Sequence, residues 1–270
     1  MPELPEVEVA RRGIEPQLAG RKLTGVVMRV TSLRYPLPME LGRRIAGATL
    51  RSIVRRGKYL LLDFGNGHLL LHLGMSGSLR LVPAELPPEK HDHVDLVFGS
   101  QALRLRDPRR FGALLWVEGN PGEHPLLASL GVEPLSRTFT AAWLAARLSG
   151  RKTAIKPMLM DARVVVGIGN IYASESLFLA GIDPRRAAGR VSAERLGKLV
   201  QAIRKTLRAA IAAGGSSLRD FAHSDGGLGC FQTHHQVYDR AGQACVACGT
   251  PIKTLRQGQR STYFCPRCQR

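Results

Sequence analysis

The sequence predicts an α+β multidomain fold: a β-sandwich or barrel preceded by one helix, then a mostly helical domain, then a cysteine-bearing β-hairpin at the C-terminus. Three observations predict it. Short apolar runs punctuated by Gly and Pro fill residues 25–117, helical periodicity takes over beyond 131, and two Cys-x-x-Cys pairs lie near the end. A chain of 270 residues is long enough for two modest domains, each with a core of its own.

Taken in order, Pro5 suits the first turn of a helix on which Val7, Ala10, Ile14 and Leu18 recur at helical spacing, with Gly20 after it. Pro2 and Glu3 therefore sit just ahead of a helix N-terminus. Strands are expected at 25–30, 60–64, 68–73, 78–82, 94–98 and 113–117, and Gly65-Asn66-Gly67 is a hairpin turn that accepts positive φ. After Gly131 the strand signal stops, and 134–138 reads as a linker into a helix over 141–148. Another helix follows Asn170. A long one covers 192–213, with Leu196, Leu199, Val200, Ile203, Leu207 and Ile211 on one face and Gly214-Gly215 as its stop. The domains expected are 2–131, 132–225 and 236–270, with a Gly-rich loop at 226–229.

Charge narrows the partner. There are 39 Lys and Arg against 21 Asp and Glu, a net +18 spread along the whole chain, which makes a polyanion the natural ligand. A bilayer is a weak alternative, because no stretch approaches the ~20 apolar residues a spanning helix needs. The opening Met1-Pro2-Glu3-Leu4-Pro5-Glu6 is not the pattern of a signal peptide. A cytoplasmic monomer is expected.

Cys245-x-x-Cys248, sixteen intervening residues, then Cys265-x-x-Cys268 is the spacing that brings four thiolates to one tetrahedral zinc. Four cysteine ligands leave no open position for water, so this zinc is expected to hold a fold and do no chemistry. Residues 253–264 read as two short strands turning near Gly258, with Arg256 and Arg260 flanking the tip and suited to phosphate. Cys230 stands alone, with no role beyond an incidental thiol.

Removal of Met1 would expose Pro2 as a secondary amine, and α-amino groups have pKa values of about 8, so a useful fraction is unprotonated at neutral pH. An amine that attacks the anomeric carbon of a nucleoside expels the base and leaves an iminium, an electron sink for β-elimination of phosphate. Glu3, the next residue, is placed to shuttle protons on the sugar. These residues alone favour an unremarkable terminus.

The motifs Pro2-Glu3-Leu4-Pro5-Glu6-Val7-Glu8, Gly57-Lys58-Tyr59-Leu60, His72-Leu73-Gly74-Met75-Ser76-Gly77, Lys90-His91-Asp92-His93, Asp107-Pro108-Arg109-Arg110-Phe111-Gly112 and Gly167-Ile168-Gly169-Asn170-Ile171-Tyr172, with the four cysteines, occur in an order that closely resembles bacterial formamidopyrimidine-DNA glycosylases over essentially the full length. The resemblance implies an N-terminal β-sandwich with its helix, a helical domain containing a helix-two-turn-helix, a C-terminal zinc β-hairpin, and double-stranded DNA in the cleft between domains. It implies a bifunctional glycosylase and lyase that removes oxidised purines and cuts at abasic sites. Pro2 would be the Schiff-base nucleophile, Glu3 the general acid, Lys58 a proton donor in β-elimination, and Arg260 an aid to δ-elimination and a phosphate grip. Met75, Arg110 and Phe111 would fill the gap left by an extruded base. Lys156 and Asn170 would bind phosphate, Asn170 also capping the helix that follows, and His91 and Arg151 would touch DNA. The 216–231 loop would close over the damaged base.

Two alternatives remain. Endonuclease VIII-type relatives, directed at oxidised pyrimidines, carry Gly where Leu4 stands here. A non-catalytic damaged-DNA-binding protein would keep the charge and the finger but have no use for Pro2, Glu3 and Lys58 together.

Overall fold

The computed structural model describes residues 1–216 and 231–270. The chain divides into two compact units, one of residues 1–128 with the stretch that begins at 213, the other of residues 129–212 and 231–270.

Among the described residues of the first unit, α1 (Leu4–Leu18) precedes eight strands: β1 (Gly25–Met28), β2 (Ser52–Arg56), β3 (Tyr59–Asp63), β4 (His68–His72), β5 (Ser78–Pro83), β6 (Asp92–Phe98), β7 (Gln101–Arg106) and β8 (Ala113–Val117). They form two antiparallel four-stranded sheets, ordered β1-β6-β7-β5 and β2-β3-β4-β8. This is the sandwich arrangement, and it closes off the barrel alternative. Val7, Ala10, Ile14 and Leu18 of α1 join Leu60, Leu62, Leu69 and Leu71 of one sheet and Val94, Leu96, Leu103 and Leu105 of the other in a single core. Each buried Val, Ile or Leu among these stabilises the fold by roughly 1.5–3 kcal/mol relative to leaving it in water. A two-residue turn, Gly57-Lys58, joins β2 to β3, with Arg56 paired to Tyr59 across it; Gly57 has φ 59°, which suits a residue without Cβ.

Two strands were not anticipated. Ser52–Arg56 is an edge strand with an exposed Val54, and Gln101–Arg106 carries charges that disguise a central strand. Arg104 is 1% exposed. It is tolerated because its guanidinium forks onto both Asp95 oxygens at 2.9 Å and donates to the Leu86 and Pro87 carbonyls.

The second unit contains α4 (Ala141–Leu148), α5 (Ile155–Met160), α6 (Asn170–Leu179) and α7 (Ala193–Ala212), the short helices α2 (Leu41–Arg44) and α3 (Pro125–Ala128) lying in the first. On α7 the expected stripe from Leu196 to Ile211 is buried. The hairpin of β9 (Lys253–Gln257) and β10 (Arg260–Phe264) belongs to the same unit as these helices. Phe178 of α6 packs with Val237, Cys245, Ile252 and Cys265 of this segment, because so small a hairpin cannot bury a core of its own. The expected domain end at 225, the Gly-rich loop and Cys230 lie outside the described residues. Among the described residues no helix is long and apolar enough to cross a membrane.

Candidate functional site

The N-terminal constellation is built on the start of α1. Glu3 is the residue before the helix, Pro2 and Glu3 are both buried, and Glu6 is wholly buried. The Glu6 carboxylate accepts the Glu3 backbone N–H at 2.8 Å and the Ser216 N–H at 2.9 Å. Glu6 thus fixes the backbone next to Pro2, an ordering residue that the sequence reading missed although the Glu3-x-x-Glu6 spacing signals it. With Met1 in place the Pro2 nitrogen is an amide.

Lys58 is half-buried in the β2–β3 turn. A chain of contacts relates this turn to α1. Glu8 Oε2 accepts from Arg55 Nε at 3.1 Å, and Arg55 Nη1 donates to the Gly57 carbonyl at 3.0 Å. Burial alone would raise the Glu8 carboxyl, but hydrogen bonds from Arg11 and Arg12 and the charges of Arg11 and Arg55 outweigh it and hold the pKa at about 2. On the neighbouring strand His72 accepts the Gly74 N–H at Nδ1, 3.0 Å away. Burial, then the charges of Lys58 and Arg34, lower the His72 pKa to about 4, so the ring is neutral at physiological pH.

The expected gap-filling residues lie in two loops of this unit. Phe111 is 45% exposed, which removes the core-packing explanation for it, and Met75 is half-buried. Arg109, which the sequence reading passed over, is the residue stacked on Phe111, with its guanidinium carbon 4.9 Å from the ring centroid. Arg110 has φ 53° and is exposed. His91 is half-buried, 6.4 Å ring to ring from His93.

In the second unit Lys156 is 1% exposed. Its ammonium donates to Asn170 Oδ1 at 2.6 Å, to Thr262 Oγ1 at 2.7 Å and to the Ser261 carbonyl at 3.0 Å. These three acceptors take its three protons, so the geometry does not suit the expected direct phosphate contact. The expectation that Asn170 caps the following helix also gives way. Gly169 is the N-cap, Asn170 is the first residue of α6, and its side chain is engaged by Lys156. Arg151 is exposed beside Arg147 and Arg163, and Arg260 is exposed at the start of β10.

The four cysteine sulfurs all lie within 4.8 Å of one another. Sγ of Cys245 and Cys268 are 3.9 Å apart, and those of Cys248 and Cys265 are 3.5 Å apart. Four thiolates at the usual zinc–sulfur distance sit about 3.8 Å from each other, so the residues fit the ion. The Cys268 N–H also points at Cys265 Sγ, 3.4 Å away. This is one structural zinc site.

A β-sandwich with an ordered N-terminal Glu pair, a helical module and a four-cysteine hairpin carrying exposed Arg256 and Arg260 defines a multidomain, strongly basic zinc-finger protein. Comparison with known families makes it specific. Residues 1–114 match the formamidopyrimidine-DNA glycosylase N-terminal domain, 130–222 the H2TH domain of those enzymes, and 242–270 the zinc finger found in FPG and IleRS. The formamidopyrimidine-DNA glycosylase of Dechloromonas aromatica is 58% identical over the full length of both chains. Among solved structures, the Lactococcus lactis Fpg in complex with DNA containing an abasic site aligns with TM-score 0.92 at 34% identity over 99% of each chain. The same organism's Fpg with Fapy-dG-containing DNA aligns with TM-score 0.91 at 33% identity, over 99% of this chain and 100% of that one. The chain belongs to the formamidopyrimidine-DNA glycosylase family.

Proposed function

We propose that the protein is a bifunctional DNA glycosylase and lyase of base excision repair, acting in the cytoplasm on duplex DNA that contains oxidised purines or abasic sites. The observation that carries this reading is the N-terminal constellation, in which Glu3 is buried and its backbone is held by Glu6 immediately beside Pro2, in a chain that shares its full length with glycosylases.

After Met1 is removed, the Pro2 nitrogen attacks the sugar C1′ and the base leaves with a proton. Glu3 protonates the ring oxygen as it opens, leaving an iminium between Pro2 and C1′. Loss of a C2′ proton to water then expels the 3′ phosphate, whose leaving oxygen takes a proton from Lys58, and a second elimination, assisted by Arg260, expels the 5′ phosphate. Met75, Arg110 and Phe111, joined by Arg109, occupy the space of the extruded nucleotide. His91, Arg151 and the amides at the start of α6 meet phosphates, and Lys156 and Asn170 support that helix end. The zinc supplies only the rigidity of the hairpin that carries Arg260. In the Gly-bearing third place of endonuclease VIII-type relatives this chain has Leu4, wholly buried in its fold, which favours the purine-directed reading over the pyrimidine one.

The test is borohydride trapping on an 8-oxoguanine duplex with protein shown by mass to begin at Pro2. A covalent adduct that disappears in Pro2→Gly is expected. No adduct overturns the enzyme reading in favour of a non-catalytic damage binder, and an adduct that survives Pro2→Gly overturns the nucleophile.

A further inference from the structure

The loops that carry Met75 and Arg109 to Phe111 converge on one carboxylate that nothing in the proposed chemistry uses, and the backbone of the same residue reaches His91. Asp107 is wholly buried. Its Oδ1 accepts the Ser76 hydroxyl at 3.2 Å, and its Oδ2 accepts the Gly112 N–H at 2.7 Å. Its backbone completes the junction: Asp107 N–H donates to the His91 carbonyl at 3.0 Å, while its own carbonyl accepts the Arg110 N–H at 3.2 Å and lies 2.9 Å from His93 Nε2. Ser76 follows Met75 directly, and Gly112 follows Phe111.

Steric fit around the carboxylate is tight. A Cβ on Gly112 would come within 2.9 Å of Asp107 Oδ2, and one on Gly74 within 2.4 Å of the Phe111 carbonyl carbon. The Met75 loop and the Phe111 loop therefore touch backbone to backbone, with left-handed residues at Gly74 (φ 62°) and Arg110 (φ 53°). A buried carboxyl group hydrogen-bonded to both the Met75 loop and the Phe111 loop ties the two together at their junction.

We propose that Asp107 is a positioning residue, wholly buried, whose carboxylate presets the Met75 and Phe111 loops as one rigid wedge for the gap left by the extruded nucleotide. The proposal rests on the gap-filling role assigned above to Met75 and Phe111. A preformed wedge matters only when a base must leave a stacked duplex. On single-stranded abasic DNA there is no stacked gap to fill, so the elimination chemistry does not call on it.

The experiment compares Asp107→Asn, Ser76→Ala and Phe111→Ala, each as zinc-loaded full chain, in single-turnover excision of 8-oxoguanine from a duplex and in strand cleavage of a single-stranded abasic oligonucleotide. Ser76→Ala removes one hydrogen bond without altering charge, so it decides the matter if Asp107→Asn fails to fold. The expected result is a loss of about tenfold or more in duplex excision for Asp107→Asn and a smaller loss for Ser76→Ala, with single-strand cleavage changed less than about twofold in both. Equal losses on both substrates reveal a general structural role and overturn the proposal, as does duplex excision left intact in both Asp107→Asn and Ser76→Ala while Phe111→Ala impairs it. If Phe111→Ala itself leaves duplex excision intact, the gap-filling reading falls and the proposal falls with it.

Discussion

Lys156 donates to Asn170 Oδ1 at 2.6 Å, so a fully buried ammonium closes against the first residue of the helix whose amides are assigned to phosphate. The same nitrogen reaches Ser261 and Thr262 of the zinc hairpin, and Thr262 Oγ1 passes a hydrogen bond on to Gln257 Oε1 at 2.9 Å. Lys156 is therefore a latch between the α6 N-terminus and the strand that begins with Arg260.

A latch and a phosphate ligand respond differently to substitution. Lys156→Met is expected to cost about 1–3 kcal/mol of stability, since it strands buried acceptors, and to weaken DNA binding about tenfold. Thr262→Val should shift binding in the same direction although Thr262 is wholly buried. The double variant should be no weaker than Lys156→Met alone, as read by fluorescence anisotropy in a double-mutant cycle. Additive losses would mean that the two side chains act separately.

Arg151 supplies the contrast. It is exposed, and if it meets a phosphate directly, Arg151→Ala should lower the slope of log K against log salt by about 0.9. Titrations at several salt concentrations measure that slope, and an unchanged one removes Arg151 from the interface.

Two titrations bear on acid stability. The Glu8 carboxyl lies at about 2 instead of 4.5, so the stability it contributes is present above pH 4.5 and is lost as pH falls toward 2. His72 lies at about 4 instead of 6.5; its neutral form is the one the fold holds, so stability is lost as pH falls from 6.5 through 4. His72→Gln keeps an acceptor for Gly74 but cannot titrate, and should flatten the upper part of the acid limb in urea melts taken at successive pH values. Glu8→Gln should flatten the lower part and, by loosening the Arg55 side chain that links α1 to the Gly57 carbonyl, slow β-elimination. If the acid limbs of both variants match the wild type, the assigned groups are wrong.

Zinc removal tests the hairpin. Its apolar packing is small and its sulfurs surround the ion, so chelation should unfold 245–268 and release Arg260 and the Thr262 contact. DNA binding and δ-elimination are expected to fall sharply while the calorimetric transition of the β-sandwich persists. Full activity in metal-free protein, checked by atomic absorption, would contradict the structural role.

Much of this molecule is local in origin and is read directly from the chain. The α1 and α7 stripes, the strand over 113–117, the Gly65-Asn66-Gly67 turn and the four zinc ligands follow from spacing alone, because periodicity, turn chemistry and metal coordination involve few residues that are near neighbours. The fold class was legible for the same reason. The strand Gln101–Arg106 was not, since only Asp95, brought alongside by β6, makes a buried Arg104 tolerable. Side-chain roles divide in the same way. Sequence nominated Pro2, Glu3 and Lys58 by chemistry and family likeness, and it nominated Lys156 as a phosphate ligand because a lysine near a Gly-rich turn carries no sign of its burial. Tertiary structure alone decided that Lys156 spends its protons on Asn170, Ser261 and Thr262, that Arg109 and not Arg110 covers Phe111, and that Asp107 gathers three loops. Each of these depends on partners distant along the chain or on which way a loop turns, and a hydrogen bond's partner is set by where the fold places the acceptor.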